Sequence, residues 1–307
     1  MYDLIIVGGG PAGITAGIYA ARKKLNTLLI TKDFIGQTGK AAKIENFPGF
    51  EEIFGGVLME KFRKQLEKFS IDINEGEEVK AIKKKDNVFE IRTTEKDRYL
   101  AKAVIVTSGR DPRPLEAPGE KEFIGRGVSY CVTCDGPLFS GKTVAVIGGG
   151  NAGFMAAFEL SRYCPKVYLL AASPKPVADE ISQDRAKAEP KIELIVNAKI
   201  KEIRGKGFVS SLIYEDQLEK KSKELMVKGI FIEIGSLPAT GFVKGLVRFN
   251  EKDEIKIDPK TCAAKTPGLF AAGDVTDIRD KQVITACGEG AKAALSAYYY
   301  LQEQGTK

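Results

Sequence analysis

The chain has 307 residues, of which 43% are hydrophobic and 29% are charged; its net charge is +6 at pH 7, and it contains no histidine. Without imidazole, Ser–His and Cys–His catalysis and the usual zinc sites are excluded, and the diffuse positive charge does not indicate a nucleic-acid partner. No apolar run approaches the roughly 20 residues of a membrane helix, and the first residues lack the pattern of a signal peptide, so we expect a cytoplasmic protein that binds neither nucleic acid nor a membrane.

A β-α-β pattern opens the chain. An apolar strand at 4–7 leads into Gly8-Gly9-Gly10-Pro11-Ala12-Gly13, and a helix of small residues and a second apolar strand at 27–30 follow. In such a fingerprint the first glycine permits a tight turn, the second admits a pyrophosphate, and the third lets helix and strand pack closely. The start of the helix then offers free N–H groups and a positive dipole end to the phosphates. The pattern predicts a dinucleotide site at Gly8, Gly10, Pro11, Ala12 and Gly13.

The next segments predict the rest of this domain and a connector. Apolar periodicity predicts a helix at 56–69, strands at 71–74, 79–84 and 88–93, and a buried strand at 103–108 before Gly109. The proline-rich stretch from Arg110 to Pro114 is typical of a stiff, exposed connector.

Cys131-Val132-Thr133-Cys134-Asp135 contains the one closely spaced pair among the five cysteines. This spacing suits a zinc site or a redox disulfide, and two buried structural thiols are a third interpretation. Zinc would need two more ligands, and the remaining cysteines are scattered, so we expect no metal site. A carboxylate beside a dithiol can exchange the proton that thiol–disulfide chemistry requires. Asp135 therefore favours the redox interpretation, although the same residue could serve only as a turn or helix cap.

The opening pattern is repeated at 143–162, where an apolar strand enters a second glycine turn before a helix. Another apolar strand follows at 167–170. The repeat predicts a second nucleotide site, for NAD, at Gly148, Gly150, Asn151, Ala152 and Gly153.

The last part of the chain predicts a return to the first domain. A second connector between the two domains, where the chain crosses back, is expected at 235–245. A strand that ends in Gly273-Asp274 and a long helix at 282–301 follow. Paired connectors imply that one domain is inserted into the other. We therefore predict an α/β protein with two Rossmann-like, three-layer nucleotide-binding domains: residues 1–112 with 245–307, and residues 113–244.

Together these motifs resemble the low-molecular-weight thioredoxin reductases and the closely related reductase part of bacterial alkyl hydroperoxide reductase. The resemblance covers the whole chain and rests on Gly8-x-Gly10-x-x-Gly13, Gly36-Gln37, residues 44–49, residues 129–136, residues 271–274 and Gly288-Glu289-Gly290.

The resemblance implies FAD in the first domain, a homodimer, and a thioredoxin or glutaredoxin-like protein as the partner. It implies that Cys134 faces the flavin and accepts its electrons, that Cys131 attacks the disulfide of the partner, and that Asp135 is the acid. It also implies rotation of the central domain about connectors near 110–116 and 235–245. The FAD-binding residues it implies are Gly8, Gly10, Pro11, Ala12, Gly13, Gly36, Gln37, Asn46, Gly109, Gly273, Asp274, Gln282 and Val283.

The electron donor is where the sequence departs from the family. NADPH-using members carry an arginine cluster after the strand at 167–170, and here that segment begins Ala171-Ala172-Ser173 without arginine. A carboxylate that would favour NADH is also missing at Ala171, and Met155 or a neighbour replaces a glutamate thought to lie near the nicotinamide. In the first β-α-β pattern, the acidic residue after the strand at 27–30 is Asp33, which lies slightly farther along the chain than the usual ribose-binding position.

These departures leave more than one function open. We expect NADH rather than NADPH as the donor, with reduced ferredoxin as the alternative. An alternative of another class is a flavin-binding redox sensor whose donor site has decayed. An oxidase that passes electrons to oxygen is a further alternative, and it would not require the dithiol.

Overall fold

A computed structural model describes residues 1–41 and 44–305, and of Cys134 it describes only the backbone. The strands are β1 (Tyr2–Val7), β2 (Thr27–Thr31), β3 (Asp72–Glu75), β4 (Val79–Lys85), β5 (Val88–Thr93), β6 (Arg98–Val106), β7 (Arg110–Pro112), β8 (Val128–Ser129), β9 (Val144–Ile147), β10 (Val167–Leu170), β11 (Ile192–Ile195), β12 (Ala198–Lys206), β13 (Phe208–Asp216), β14 (Lys221–Met226), β15 (Gly229–Ile232), β16 (Ser236–Pro238) and β17 (Leu269–Ala271). The helices are α1 (Pro11–Arg22), α2 (Gly36–Gly39), α3 (Gly55–Leu66), α4 (Glu120–Phe123), α5 (Val132–Asp135), α6 (Asn151–Leu160), α7 (Glu180–Ala188) and α8 (Val283–Gly305).

The chain divides into two compact units. Unit 1 contains Met1–Asp111 and the chain from Leu237 onward, and unit 2 contains Pro112–Ser236. The second crossing therefore lies at Ser236–Leu237, earlier than the boundary at 244–245 that we expected. The reason is packing: Val243 is fully buried in a core cluster of unit 1, and the N–H of Ala239 donates to the carbonyl of Gly109.

A large sheet organises unit 1, in the order β3-β2-β1-β6-β5-β4, with β17 also paired to β6. Strands β3, β2, β1, β6 and β17 run parallel to one another. Strands β6, β5 and β4 form an antiparallel meander at the other side of the sheet. Leu4, Ile5 and Ile6 of β1 are completely buried, as expected for a central parallel strand that is covered on both faces.

Small residues let α1 and α8 pack closely in unit 1. A Cβ built on Gly290 would lie only 2.1 Å from the carbonyl oxygen of Ala12, so these helix backbones approach where a side chain would not fit. The shared cluster is rich in alanine, including Ala16, Ala20 and Ala293. This packing brings the start of α8 beside the start of α1.

Unit 2 contains a parallel five-stranded sheet, in the order β11-β10-β9-β15-β8. The strands β12, β13 and β14 form a separate antiparallel sheet, which the sequence patterns did not predict. The predicted α/β class, with a Rossmann-like parallel sheet in each unit, is confirmed. Within residues 1–41 and 44–305, no helix has both the length and the apolar character needed to cross a membrane.

Candidate functional site

The first glycine turn has the geometry that a dinucleotide requires. Gly8 has a φ of +113°, and a Cβ at Gly13 would lie 1.9 Å from the carbonyl oxygen of Gly8. By contrast, a Cβ at Gly10 would meet nothing within 4 Å in the described part of the chain. No described side chain caps the start of α1 at Gly10. The first N–H groups of this helix can therefore bind a phosphate. Pro11 and Ala12 form the first turn of this helix.

A second loop of unit 1 meets this turn from the end of β17. Gly273 has a φ of +80°, and its N–H donates to the Glu289 carboxylate at 2.7 Å. A Cβ at Gly273 would lie 3.2 Å from the Cβ of Ala12, which places the loop against α1. Burial raises the pKa values of the Asp274 and Glu289 carboxyls, and Lys281 acts against both shifts. Sequence patterns marked Asp274 but assigned no role to Glu289, whose contact depends on the folding of α8.

Glu289→Ala is expected to weaken FAD binding about tenfold, because a buried N–H of Gly273 loses its acceptor. Glu289→Gln keeps an acceptor oxygen at the same place and is expected to bind FAD nearly as tightly as the unchanged protein. Titration of the apoprotein with FAD, followed by flavin fluorescence, measures both affinities. Glu303→Ala, an exposed change on the same helix, is the control. Equal affinities of the alanine and glutamine variants would contradict the role given to this hydrogen bond.

Two predicted flavin-ring residues that are distant in sequence contact each other. The Asn46 side-chain amide donates to the Gln282 side-chain oxygen at 3.0 Å. Val283 packs against the small cluster of Ile44, Ile53 and Leu58. Unit 1 thus gathers three of the predicted residues, although their neighbours at 42–43 lie outside the described chain.

The other predicted FAD residues occupy turns of the same unit. The Gln37 amide donates to the carbonyl of Arg110 at 3.3 Å, and Gly36 and Gly109 have φ angles of +50° and +64°. One oxygen of Asp33 accepts the N–H groups of Ile35 and Gly36. Asp33 therefore stabilises the turn that presents Gly36.

The dithiol motif lies at the start of α5 in unit 2. Cys131 is disulfide-bonded, whereas Cys164, Cys262 and Cys287 are free thiols. The N–H of Cys131 donates to the Ser129 hydroxyl at 3.0 Å, and the N–H of Asp135 donates to the carbonyl of Cys131 at 3.1 Å. Asp135 is half-buried. The predicted contact of Cys134 with a flavin lies outside the described residues, because its side chain is not described.

A second carboxylate, which no sequence pattern indicates, lies beside the dithiol. The hydroxyl of Thr133, between the two cysteines, donates to Glu159 of α6 at 3.3 Å. Burial raises the pKa of the Glu159 carboxyl, and the Thr133 hydroxyl and Arg162 act against this shift. The hydrogen bond to Glu159 thus fixes Thr133 to α6, and the neighbouring Val132 is buried in the core, with 6% of its surface exposed.

The second glycine turn keeps the same geometry as the first. Gly148 has a φ of +147°, and a Cβ at Gly153 would lie 1.9 Å from the carbonyl oxygen of Gly148. Helix α6 begins at Asn151 after Gly150, and no described side chain caps its N-terminus. Ala152 is exposed in the first turn of this helix. The start of α6 therefore has the uncapped N–H groups that a phosphate site uses.

The segment after β10 folds back on this second turn. The N–H groups of Val177 and Ala178 donate to the carbonyl of Gly149. Asn151 and Asp179 form a reciprocal pair, with bonds of 2.9 and 2.8 Å. Ala171 stands where a ribose-binding carboxylate is expected, and it is 1% exposed. Its N–H donates to the carbonyl of Ile195, and its carbonyl accepts the N–H of Ala198. Asn151, predicted as an NAD residue, thus has a structural partner that the sequence pattern did not indicate.

Comparison with known proteins agrees with this arrangement. A family model described as pyridine nucleotide-disulphide oxidoreductase matches residues 2–290. A thioredoxin reductase from Lactococcus lactis superposes with a TM-score of 0.89 at 37% identity, over 99% of this chain and 100% of that chain.

Two curated relatives are longer proteins. The NADH dehydrogenase of Bacillus subtilis strain 168 is 40% identical over 98% of this chain and 58% of its own length. An alkyl hydroperoxide reductase protein of Staphylococcus epidermidis strain RP62A is 39% identical over 98% of this chain and 59% of its own length. The chain thus spans less than two thirds of these relatives, and the resemblance stated from the motifs is confirmed. The chain belongs to the pyridine nucleotide-disulphide oxidoreductase family, a family of flavoprotein oxidoreductases whose thioredoxin reductases use FAD and NAD(P)H, and it shares the fold of those reductases.

Proposed function

We propose that the protein is a protein-disulfide reductase that passes electrons from a donor, by way of FAD, to the Cys131–Cys134 disulfide and on to a thioredoxin or glutaredoxin-like protein. The observation that carries this proposal is the disulfide-bonded Cys131 at the start of α5, with Asp135 one turn away in the same motif. Asp135 supplies the proton-exchanging group that a chain without histidine needs.

The residues of unit 1 fit FAD. Gly8 and Gly13 have no room for a side chain, Gly10 lies open before an uncapped helix within the described chain, and Gly273, which precedes Asp274, lies against Ala12. These residues would hold the pyrophosphate and the ribityl chain, and Asn46 with Gln282 would lie near the ring. When bound, FAD supplies two-electron transfer between donor and disulfide.

The residues of the motif divide the disulfide chemistry between them. Reduction adds two electrons and two protons to the Cys131–Cys134 bond and yields two thiols. The Cys131 thiolate then attacks the disulfide of the partner protein, which forms a mixed disulfide and releases one partner thiolate. Cys134 attacks the mixed disulfide, restores the intramolecular bond and releases the second thiolate. Asp135 takes the proton from the attacking thiol and returns it to a leaving thiolate.

The name of one relative supports the partner that we propose. The Lactococcus relative is named a thioredoxin reductase. We propose a separate partner protein with its own disulfide, a homodimer, and a cytoplasmic location, where the free thiols of Cys164, Cys262 and Cys287 would stay reduced. We also propose that the two connectors, near 110–116 and 235–245, act as a hinge.

For the donor we propose NADH rather than NADPH. The second glycine turn is intact, no arginine follows β10 at 171–177, and the Bacillus relative is named an NADH dehydrogenase. Reduced ferredoxin is the alternative, because the ribose-binding carboxylate is also missing at Ala171.

An anaerobic titration of the purified flavoprotein tests the donor. NADH is expected to bleach the flavin absorbance rapidly, and NADPH is expected to bleach it at least about tenfold more slowly. Gly150→Asp is the matched variant: its carboxylate would face the pyrophosphate in an open position, so bleaching by NADH should fail while FAD stays bound. Bleaching by reduced ferredoxin alone would replace NADH as the donor. A flavin that no donor reduces would favour the redox sensor instead.

A further inference from the structure

A buried carboxylate in unit 2 has no role in the proposed chemistry. Glu120, at the start of α4, is only 2% exposed. It accepts the N–H of Leu115 at 2.7 Å, the N–H of Glu116 at 2.6 Å and the hydroxyl of Tyr130. Burial of a carboxylate is costly unless hydrogen bonds compensate for the lost water, and bonds to a charged acceptor are stronger than neutral ones. These three donors are therefore held firmly by one side chain.

Two of the donors belong to the first connector. Glu116 has a φ of +59°, a left-handed conformation that is unfavourable for a residue with a side chain. The following stretch is fixed to β12, because the N–H of Ile203 donates to the carbonyl of Pro118 and Gly119 packs against Ile203. Glu120 thus stabilises a strained piece of connector and ties it to the body of unit 2. If the connector acts as the proposed hinge, its bending is confined to the residues before Leu115.

The third donor belongs to the dithiol segment. Tyr130 immediately precedes Cys131, and its ring packs against the core cluster that contains Phe123 and Ile203. Burial and the Glu120 carboxylate raise the pKa of Tyr130, so the phenol keeps its proton and donates to Glu120 at neutral pH. The next residues are held locally, through the Ser129 hydroxyl and the backbone of Cys131.

We propose that Glu120 is a positioning residue for the dithiol, which acts through Tyr130 and makes the connector and the Cys131 segment one rigid piece. This proposal rests on the proposed function, since a fixed position of the dithiol matters only if the protein is a disulfide reductase. Thiols held at bonding distance have a high effective concentration, which favours the disulfide over the dithiol. Loosening of the Tyr130–Glu120 contact should therefore make the disulfide easier to reduce.

The test is a redox titration of the purified holoprotein against glutathione. Two glutathione thiols reduce one Cys131–Cys134 disulfide and leave oxidised glutathione and two protein thiols, which are alkylated and counted by mass spectrometry of the peptide that contains them. Tyr130→Phe and Glu120→Gln are expected to shift this equilibrium toward the dithiol by roughly tenfold, which is about 30 mV for a two-electron couple. Glu122→Gln, an exposed change on the same short helix, should stay within about twofold of the unchanged protein.

The outcomes separate positioning from simple support of the fold. If Glu120 only stabilises unit 2, the variants unfold at lower temperature while the glutathione equilibrium stays where it was, and the proposal is overturned. Should Glu120→Gln fail to fold, Tyr130→Phe decides, because its ring still fills the core. This readout needs neither donor nor partner protein. A shifted equilibrium in a protein whose flavin never reduces the disulfide would support the positioning role and refute the proposed function.

Discussion

Cys131→Ser is expected to lower protein-disulfide reduction by at least about a thousandfold, while the flavin still binds and is still reduced by its donor. Serine cannot form the disulfide in which Cys131 takes part, and its hydroxyl is a poor nucleophile toward a partner disulfide at neutral pH. The change lies in unit 2, at the start of α5, and FAD is proposed to bind residues of unit 1. Flavin bleaching and partner reduction should therefore respond differently.

Both half-reactions are measured on one preparation, so that loss of partner reduction can be separated from loss of flavin reduction. Donor-driven loss of flavin absorbance is followed first, and thiol release from an oxidised thioredoxin second. Cys164→Ala is the control: this cysteine is free and buried in the same unit, and burial raises its pKa to about 11. The control should keep activity within a few-fold of the unchanged protein. Turnover that survives Cys131→Ser would favour the oxidase, which needs no dithiol.

Gly13→Ala is expected to cost roughly 3 kcal/mol or more of folding free energy and to leave the protein without bound FAD. The added Cβ would lie 1.9 Å from the carbonyl oxygen of Gly8 and 2.7 Å from the hydroxyl of Thr107. Neither atom can retreat easily, because that hydroxyl is bonded to the carbonyls of Val7 and Gly8. Helix α1 must therefore shift away from β1, and the phosphate site at its start is lost.

Gly10→Ala, in the same turn, provides the comparison. Its Cβ would meet no described atom within 4 Å, and its φ of −74° suits alanine, so the free energy of unfolding should hardly change. FAD affinity should still fall, because the methyl group would stand where the phosphates approach. Chemical denaturation and the ratio of flavin to protein absorbance measure the two effects. A yellow Gly13→Ala protein of normal stability would contradict the assigned geometry.

Local patterns predicted much of this protein. Parallel strands buried on both faces are continuous apolar runs, so β1, β9 and the last four residues of β6 could be recognised from composition alone. The glycine turns could be placed because backbone geometry demands glycine at Gly8 and Gly13, whatever the rest of the chain does.

Other features could not be predicted in this way. The contact of Asn46 with Gln282 and the bond from Gly273 to Glu289 join residues that are far apart in sequence. The exact boundary within the predicted crossing at 235–245 also escaped prediction, since the burial of Val243 in unit 1 depends on packing against distant strands.

The sequence by itself determined the α/β class, both glycine turns and the Cys-x-x-Cys pair with Asp135 beside it, because each depends on residue types at fixed local spacing. Only the tertiary structure decided which carboxylates support these sites. Glu120 resembles many other glutamates in the sequence, and Glu289 stands in a motif without an assigned role; the hydrogen bonds of both carboxylates appear only when folding removes them from water. A buried carboxylate must find donors, and the donors that reached it here belong to the Tyr130 segment and the Gly273 loop.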